Sequence, residues 1–534
     1  MTVRIICICI ATALPCGAIG GTKPMPASHF VTSAQCIACH SSLTAPSGED
    51  VSIGFDWRAT IMANSARDPY WHAAVRRETL DNPAAAAAIE DKCATCHMPM
   101  ARFDARSSGA AGEVFANLDS AAPQHALAAD GVSCTLCHQI AAAGLGEQAS
   151  FDGGFEIEPR ADGRVIFGPH DVDAGRRSVM RSAGTYAPST GSHLQQSSLC
   201  ATCHTLYTAA LDESGRSIGE LPEQVPYKEW LHSDYRDSQS CQSCHMPEVA
   251  GAAPISSVLP QPREHVSQHT FLGGNAFMLA MLNRYRDDLG VKAPARELDA
   301  AAEETKRFLG TRAAALAVTA AAQTSTGVDF TLELTSTTGH KLPTAYPARR
   351  AWLHVIVTDA AGRTVFESGA VRPDGSIVGN DNDAEAARFE PHYESVTTPD
   401  EVQIYEAVMV DRDNAVTTAL LRGVRFAKDN RLLPRGFDKG TAEPDVAVQG
   451  AAFADADFTA GGDRVRYRIA VDANVARPFV VSAELLYQSI GYRWAANLRS
   501  YDAPETARFA RYYADSAAGS AVRVASASAT VAAR

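Results

Sequence analysis

Apolar positions recur at helical spacing through roughly the first 316 residues and alternate with polar ones beyond them, so the chain predicts a helical part followed by a β part. From Gly54 to His72 aromatic and apolar residues keep a helical period, and Asp68 followed by Pro69 marks the cap and first residue of a second helix. Asp81-Asn82-Pro83 then starts an alanine-rich helix that runs to Asp91. Asn275 to Leu289 sets Phe277, Met278, Met281, Leu282 and Tyr285 on one face. Pro294 to about Leu316 follows, with Glu303, Glu304, Lys306 and Arg307 turned outward, and the two segments predict a helical pair. After it, Val328–Leu334, Ala351–Val357, Thr364–Phe366, Val402–Val410, Arg464–Val471 and Phe479–Gln488 read as strands, with Asp359-Ala-Ala-Gly362 as a turn. Six or seven strands over about 190 residues predict a β-sandwich of immunoglobulin-like type. The stretch from Ala517 to Arg534 is Ala/Ser/Val-rich without turn or cap signals and reads as disordered.

The pattern Cys-x-x-Cys-His occurs five times: Cys36/Cys39/His40, Cys93/Cys96/His97, Cys134/Cys137/His138, Cys200/Cys203/His204 and Cys241/Cys244/His245. Two thiols at this spacing form thioethers to the two vinyl groups of a haem, and the adjacent imidazole is held under the iron. Paired cysteines also hold zinc or form disulfides. Here a histidine follows the second cysteine every time, and the motifs use ten of the thirteen cysteines; the rest, Cys7, Cys9 and Cys16, fall near the start. The pattern therefore predicts five covalently attached c-type haems with their iron.

That beginning has one charge, Arg4, an apolar run from Ile5 to Leu14 and small residues ending at Gly20, as in a secretory signal peptide. Lipidation at Cys16 and a retained anchor are the alternatives, but Pro15 suits the first poorly and the run is about half of the roughly 20 residues that a span needs. The expected location is the periplasm, with the cell exterior or the outer-membrane surface as alternatives, and no transmembrane segment is expected. The formal net charge of −13 and the lack of a basic stripe argue against nucleic acid as a partner. An acidic surface suits transient docking with basic redox proteins. The predicted organisation is residues 1–20 signal peptide, 21–273 a mainly α, loop-rich pentahaem domain, 274–316 the helical pair, 317–505 the β-sandwich and 506–534 a flexible tail.

A spacing of 41 residues separates Cys93 from Cys134 and again Cys200 from Cys241, which reads as a duplicated two-haem module. Five of the sixteen histidines belong to the motifs, which leaves eleven for the sixth position on each iron. His125 and His232 each lie nine residues before a motif, and His193 seven. With His269 they are the first candidates for distal ligands. Met62, His29, His72, His170, His265 and His340 are open contenders for a fifth place. A methionine ligand would raise a potential relative to two histidines. Met98 and Met246 follow their motif histidines directly and cannot reach the opposite face of the same iron.

The run Leu221-Pro-Glu-Gln-Val-Pro-Tyr-Lys-Glu-Trp230, leading to Cys241-Gln-Ser-Cys-His-Met-Pro247, resembles multihaem c-type cytochromes of the cytochrome c-554/c-552 class. Thr338-Gly-His-Lys-Leu-Pro343 resembles a C-terminal β-domain of exported bacterial relatives. The resemblance implies electron transfer outside the cytoplasm; the fifth motif and the β part depart from the four-haem type member. Pentahaem nitrite reductases carry a Cys-x-x-Cys-Lys site, which no motif here has. Three functions follow. The first is an electron carrier between redox partners such as a quinol-side protein, a terminal reductase or small cytochromes. The second is an oxidoreductase with one open iron acting on a small nitrogen or sulfur species. The third is a subunit assembled through its β-domain into a conducting filament or larger complex.

Overall fold

The computed structural model describes residues 28–157 and 164–531, so the expected leader lies outside the described residues. Short helices joined by long loops make up the first part. The helix Pro69–Asp81 begins where the Asp68 carboxylate accepts the backbone N–H groups of Tyr70 and Trp71, as its sequence predicted. The next long helix, Ala86–His97, carries the second motif on its last turn. Parts of the other four sit on helices of four or five residues, Ser33–Ile37, Cys134–Cys137, Ser197–Ala201 and Cys241–His245. A hairpin of Leu206–Leu211 and Ser217–Gln224 stands between the fourth and fifth motifs.

The helical pair is Ala276–Arg284 and Ala295–Arg312. The second helix ends four residues before the sequence reading put it, and the chain turns at once into the strand Ala314–Gln323, paired with Gly327–Ser336. All six predicted strands form, within a residue or two of their expected limits. Two sheets result. One runs in the order 425–429, 404–410, 350–358, 479–488, 521–531, with 364–368 also on 350–358; the other runs 395–396, 462–470, 327–336, 314–323. Inward-pointing Phe330, Leu332, Val465 and Tyr467 of the second sheet share one core with Leu353, Val355, Val357, Phe479 and Val481 of the first.

The tail is not disordered. Pro504–Ser516 is a helix packed against Pro69–Asp81, tied there by an Arg76–Glu505 ion pair at 2.8 Å. Ala521–Val531 is a strand paired with Phe479–Gln488 along its length, burying Val522, Val524 and Val531. Between Val524 and Val531 the strand is a run of small residues, Ala525 to Thr530, which gives only a faint period-two signal by itself. Among the described residues no helix is long and apolar enough to cross a membrane.

Candidate functional site

In one helical turn the two cysteines of Cys-x-x-Cys stand three apart on the same face, so each motif aims both thiols to one side. All ten cysteines and all five motif histidines line a single continuous cavity of 1240 Å³, larger than the roughly 300–1,000 Å³ of an ordinary ligand pocket. Both parts of the chain close it. The loop from Thr337 to Arg349, between two strands, forms one wall together with Tyr487 and Ile490.

Four of the five motif histidines are oriented by the same device. His40 Nδ1 donates to the Ile255 carbonyl at 2.6 Å, His97 to Ser65 at 3.1 Å, His138 to Phe167 at 2.7 Å, and His245 to Leu272. A ring whose Nδ1 carries the proton presents a bare Nε2 to a metal, and the carbonyl fixes both tautomer and orientation. Burial pushes His97, His204 and His245 down to about 4 and lowers His40 and His138. His97, His204 and His245 are therefore neutral, the ligating form, well below pH 7, and burial favours the same form in His40 and His138.

Two of the motif histidines face another histidine. His138 and His269 have ring centroids 6.3 Å apart and planes within 14°; for His245 and His340 the figures are 6.1 Å and 12°. Imidazoles on opposite sides of one metal, about 2 Å from it through nitrogens roughly 1 Å from each ring centre, have centroids about 6 Å apart. His269 Nδ1 donates to the Ser267 carbonyl at 3.1 Å and His340 Nδ1 to that of Lys341 at 2.9 Å, so their Nε2 atoms are also bare.

The cavity does not take in His125, His193 or His232. His193 is buried with its Nε2 on the Ile140 carbonyl at 2.9 Å. His232 turns its Nε2 toward Glu443 at 3.8 Å, and His125 donates from Nδ1 to the Asn117 carbonyl. Proximity in sequence to a motif set these three apart; their rings lie outside the cavity lining, His193 on a carbonyl through Nε2, His232 toward a carboxylate, and His125 held through Nδ1 as the motif histidines are. Of the contenders, His72 has both nitrogens engaged, by the Ala66 carbonyl and by Arg508, while His29 pairs with Asp104 at 2.8 Å outside the cavity. Met62, His170 and His265 line it. So does Met180, from the helix Ala174–Gly184, which no spacing in the sequence marked. The Trp71 ring lies flat on His97 at 4.3 Å and 2°.

Thiols of different motifs adjoin: Cys36 with Cys134, Cys96 with Cys203, and Cys200 with Cys241, while Cys137 is near Cys203. The attachment points thus form a branched series, first to third to fourth, with the second and fifth both joined to the fourth. The two 41-residue units are not equivalent in this arrangement, since only the later one brings its own pair of motifs together. Zinc does not fit. Among the described residues no three cysteine or histidine ligand atoms of the motifs lie within 4.8 Å of one another.

The group that does meet that distance, His392, Asp455 and Asp463, is buried in the β part. His392 Nδ1 accepts from the amides of Gln403 and Asn430, whose oxygens are in turn held by the backbone N–H groups of Tyr393 and Glu406. The proton must then sit on Nε2, which donates to Asp455 at 3.0 Å. No lone pair is left for a metal, and the group reads as a polar lock within the core.

No protein-family model and no curated protein matches the sequence. Among solved structures, a penta-haem cytochrome c552 from Thermochromatium tepidum aligns over 94% of this chain and 99% of its own, with a TM-score of 0.51 and 15% sequence identity. At that identity the likeness shows a shared fold, and it extends through the β part as well as the motif-bearing part.

Proposed function

We propose that the chain is an exported pentahaem c-type cytochrome that carries electrons between redox proteins. The observation that carries this reading is the single cavity onto which ten cysteines and five motif histidines converge, four of those histidines pre-oriented. Each cysteine pair would hold one haem, with His40, His97, His138, His204 and His245 as proximal ligands. His269 and His340 would complete the third and fifth sites. Bound there, haem supplies one-electron chemistry, tuned by axial ligand, burial and nearby charge. The chain's part is to hold the imidazoles neutral and oriented and to keep water from the apolar walls. The immunoglobulin-like description of the β part belongs to the same proposal, supported by two sheets on one core.

A second reading has one specific observation in its favour. Tyr70, Tyr346, Glu78 and Glu223 line the cavity beside the second motif, and burial lifts Glu223 to about 7. One oxygen of Glu78 is buried without a partner, and the buried Tyr346 hydroxyl lies beside that of Tyr70. A site with proton donors of this kind is what an open iron acting on a small nitrogen or sulfur species would need.

Mass spectrometry of the purified protein tests the attachment, with five haem increments expected. Electron paramagnetic resonance of the oxidised protein then separates the readings. Low-spin ferric signals alone support the carrier; a high-spin signal from about one haem in five moves the weight to the enzyme.

A further inference from the structure

His340 reaches the cavity from the β part, on the turn Gly339-His340-Lys341-Leu342-Pro343-Thr344, and four fully or almost fully buried charges sit behind it. Glu229 belongs to the helix Pro226–Leu231 in the motif-bearing part and has no exposed surface. One of its oxygens accepts from the Lys341 backbone N–H at 3.1 Å and from the Thr344 hydroxyl, so a single carboxylate holds the turn at two points. Its other oxygen is 2.9 Å from Arg431. Arg431 pairs through two nitrogens with Asp429, and Asp429 pairs with the wholly buried Lys341 Nζ at 2.7 Å. Two cations and two anions balance, and none has water to fall back on.

A neutral buried network of this kind is poor evidence for stability as such, because apolar residues of the same shape would do as well or better. It is well suited to fixing one arrangement. Every member bonds within the turn that carries His340 or to a group that does, and the network crosses from the motif-bearing part to the β part.

We propose that Glu229, Arg431, Asp429 and Lys341 are positioning residues that hold His340 opposite His245, so that the β part sets the sixth ligand, and through it the potential, of the haem bound at Cys241 and Cys244. The inference rests on the haem reading above. Glu229 acts from the far side of the boundary and is the most informative position. Glutamine there keeps the shape but sets an amide against the Arg431 guanidinium.

The test uses the full-length protein with its haems attached and compares Glu229→Gln, Asp429→Asn and His340→Ala with Asp383→Asn. The last breaks a different buried pair of the β part, Arg350–Asp383 at 2.8 Å, away from the turn. Spin state by paramagnetic resonance and the five midpoint potentials by redox titration are the readouts. The expected result is that Glu229→Gln and Asp429→Asn alter the same single haem as His340→Ala, by conversion to high spin or by a shift of that one potential. Exogenous imidazole should restore low spin, and Asp383→Asn should leave all five haems unchanged. The proposal is overturned if His340→Ala changes one haem while the network variants behave like Asp383→Asn. If a network variant does not accumulate, the milder Thr344→Val, which removes one bond to Glu229, must shift the same potential or the proposal falls. A wild-type protein that carries no haem by mass would instead defeat the functional reading itself.

Discussion

Replacing His269 by alanine tests the geometric reasoning most directly. The ring stands 6.3 Å from that of His138, nearly parallel to it, with each Nδ1 committed to a backbone carbonyl. Burial first, and the nearby His138 second, push His269 down to about 4, so a neutral imidazole is offered at any pH above about 5. On the pentahaem reading, removing it would leave one iron of five with a weak-field ligand or none. Quantified against total ferric haem at about pH 6, the high-spin signal should rise by about one fifth; toward alkaline pH a water on that iron would ionise to hydroxide and return part of the signal to low spin. His125→Ala, His193→Ala and His232→Ala, taken as controls, should leave the spin balance as it is. An unchanged spectrum for His269→Ala, or a fifth lost in any of the three controls, would show that cavity lining and ring geometry do not identify the ligand, and the assignment of His340 would fall with it.

Three further outcomes are expected. Ending the chain after Gly519 removes a strand paired along all of Phe479–Gln488 and exposes the sites of Val522, Val524 and Val531; at about 1.5–3 kcal/mol per buried valine the loss is about 5 kcal/mol or more, and a full-length-like melting curve would refute it. Asp463 is 2% exposed, and burial lifts its carboxyl to about 7 from an ordinary 3.8 despite a hydrogen bond from Tyr405. The folded chain therefore keeps a proton that the unfolded chain sheds above about pH 4, so stability falls as pH rises toward 7 and then levels off, by up to about 4 kcal/mol. Asp463→Asn should gain melting temperature over the wild type at pH 8 but not at pH 4, and a pH-independent difference between the two proteins would contradict this. Trp352 is wholly buried and its Nε1 donates to the Gly369 carbonyl at 2.9 Å; Trp352→Phe leaves that carbonyl unpaired and should cost about 1–3 kcal/mol in chemical denaturation, whereas a cost near zero would mean that the site admits water.

Local chemistry in this chain is written locally. The five motifs, the cap at Asp68, the helical pair and the six strands each depend on residues within one or two turns of one another, where helical period, strand alternation and the reach of a cysteine pair operate. Sequence alone therefore determined where the five motifs lie and which parts are helix or sheet. The partner of each motif depends on contacts between residues far apart in the chain. His269 lies 131 residues from His138 and His340 lies 95 from His245, and only packing brings them to the spacing of two ligands on one metal. The same holds for Glu229, an unremarkable helix residue until the β part lays Arg431 against it, and for the last strand, whose small side chains acquire a pattern once a neighbouring sheet tells inward from outward. His125, His193 and His232 show the converse. They stand close to motifs in sequence, yet none of the three lines the cavity: His193 bonds a carbonyl through Nε2, His232 faces a carboxylate, and His125 is held through Nδ1.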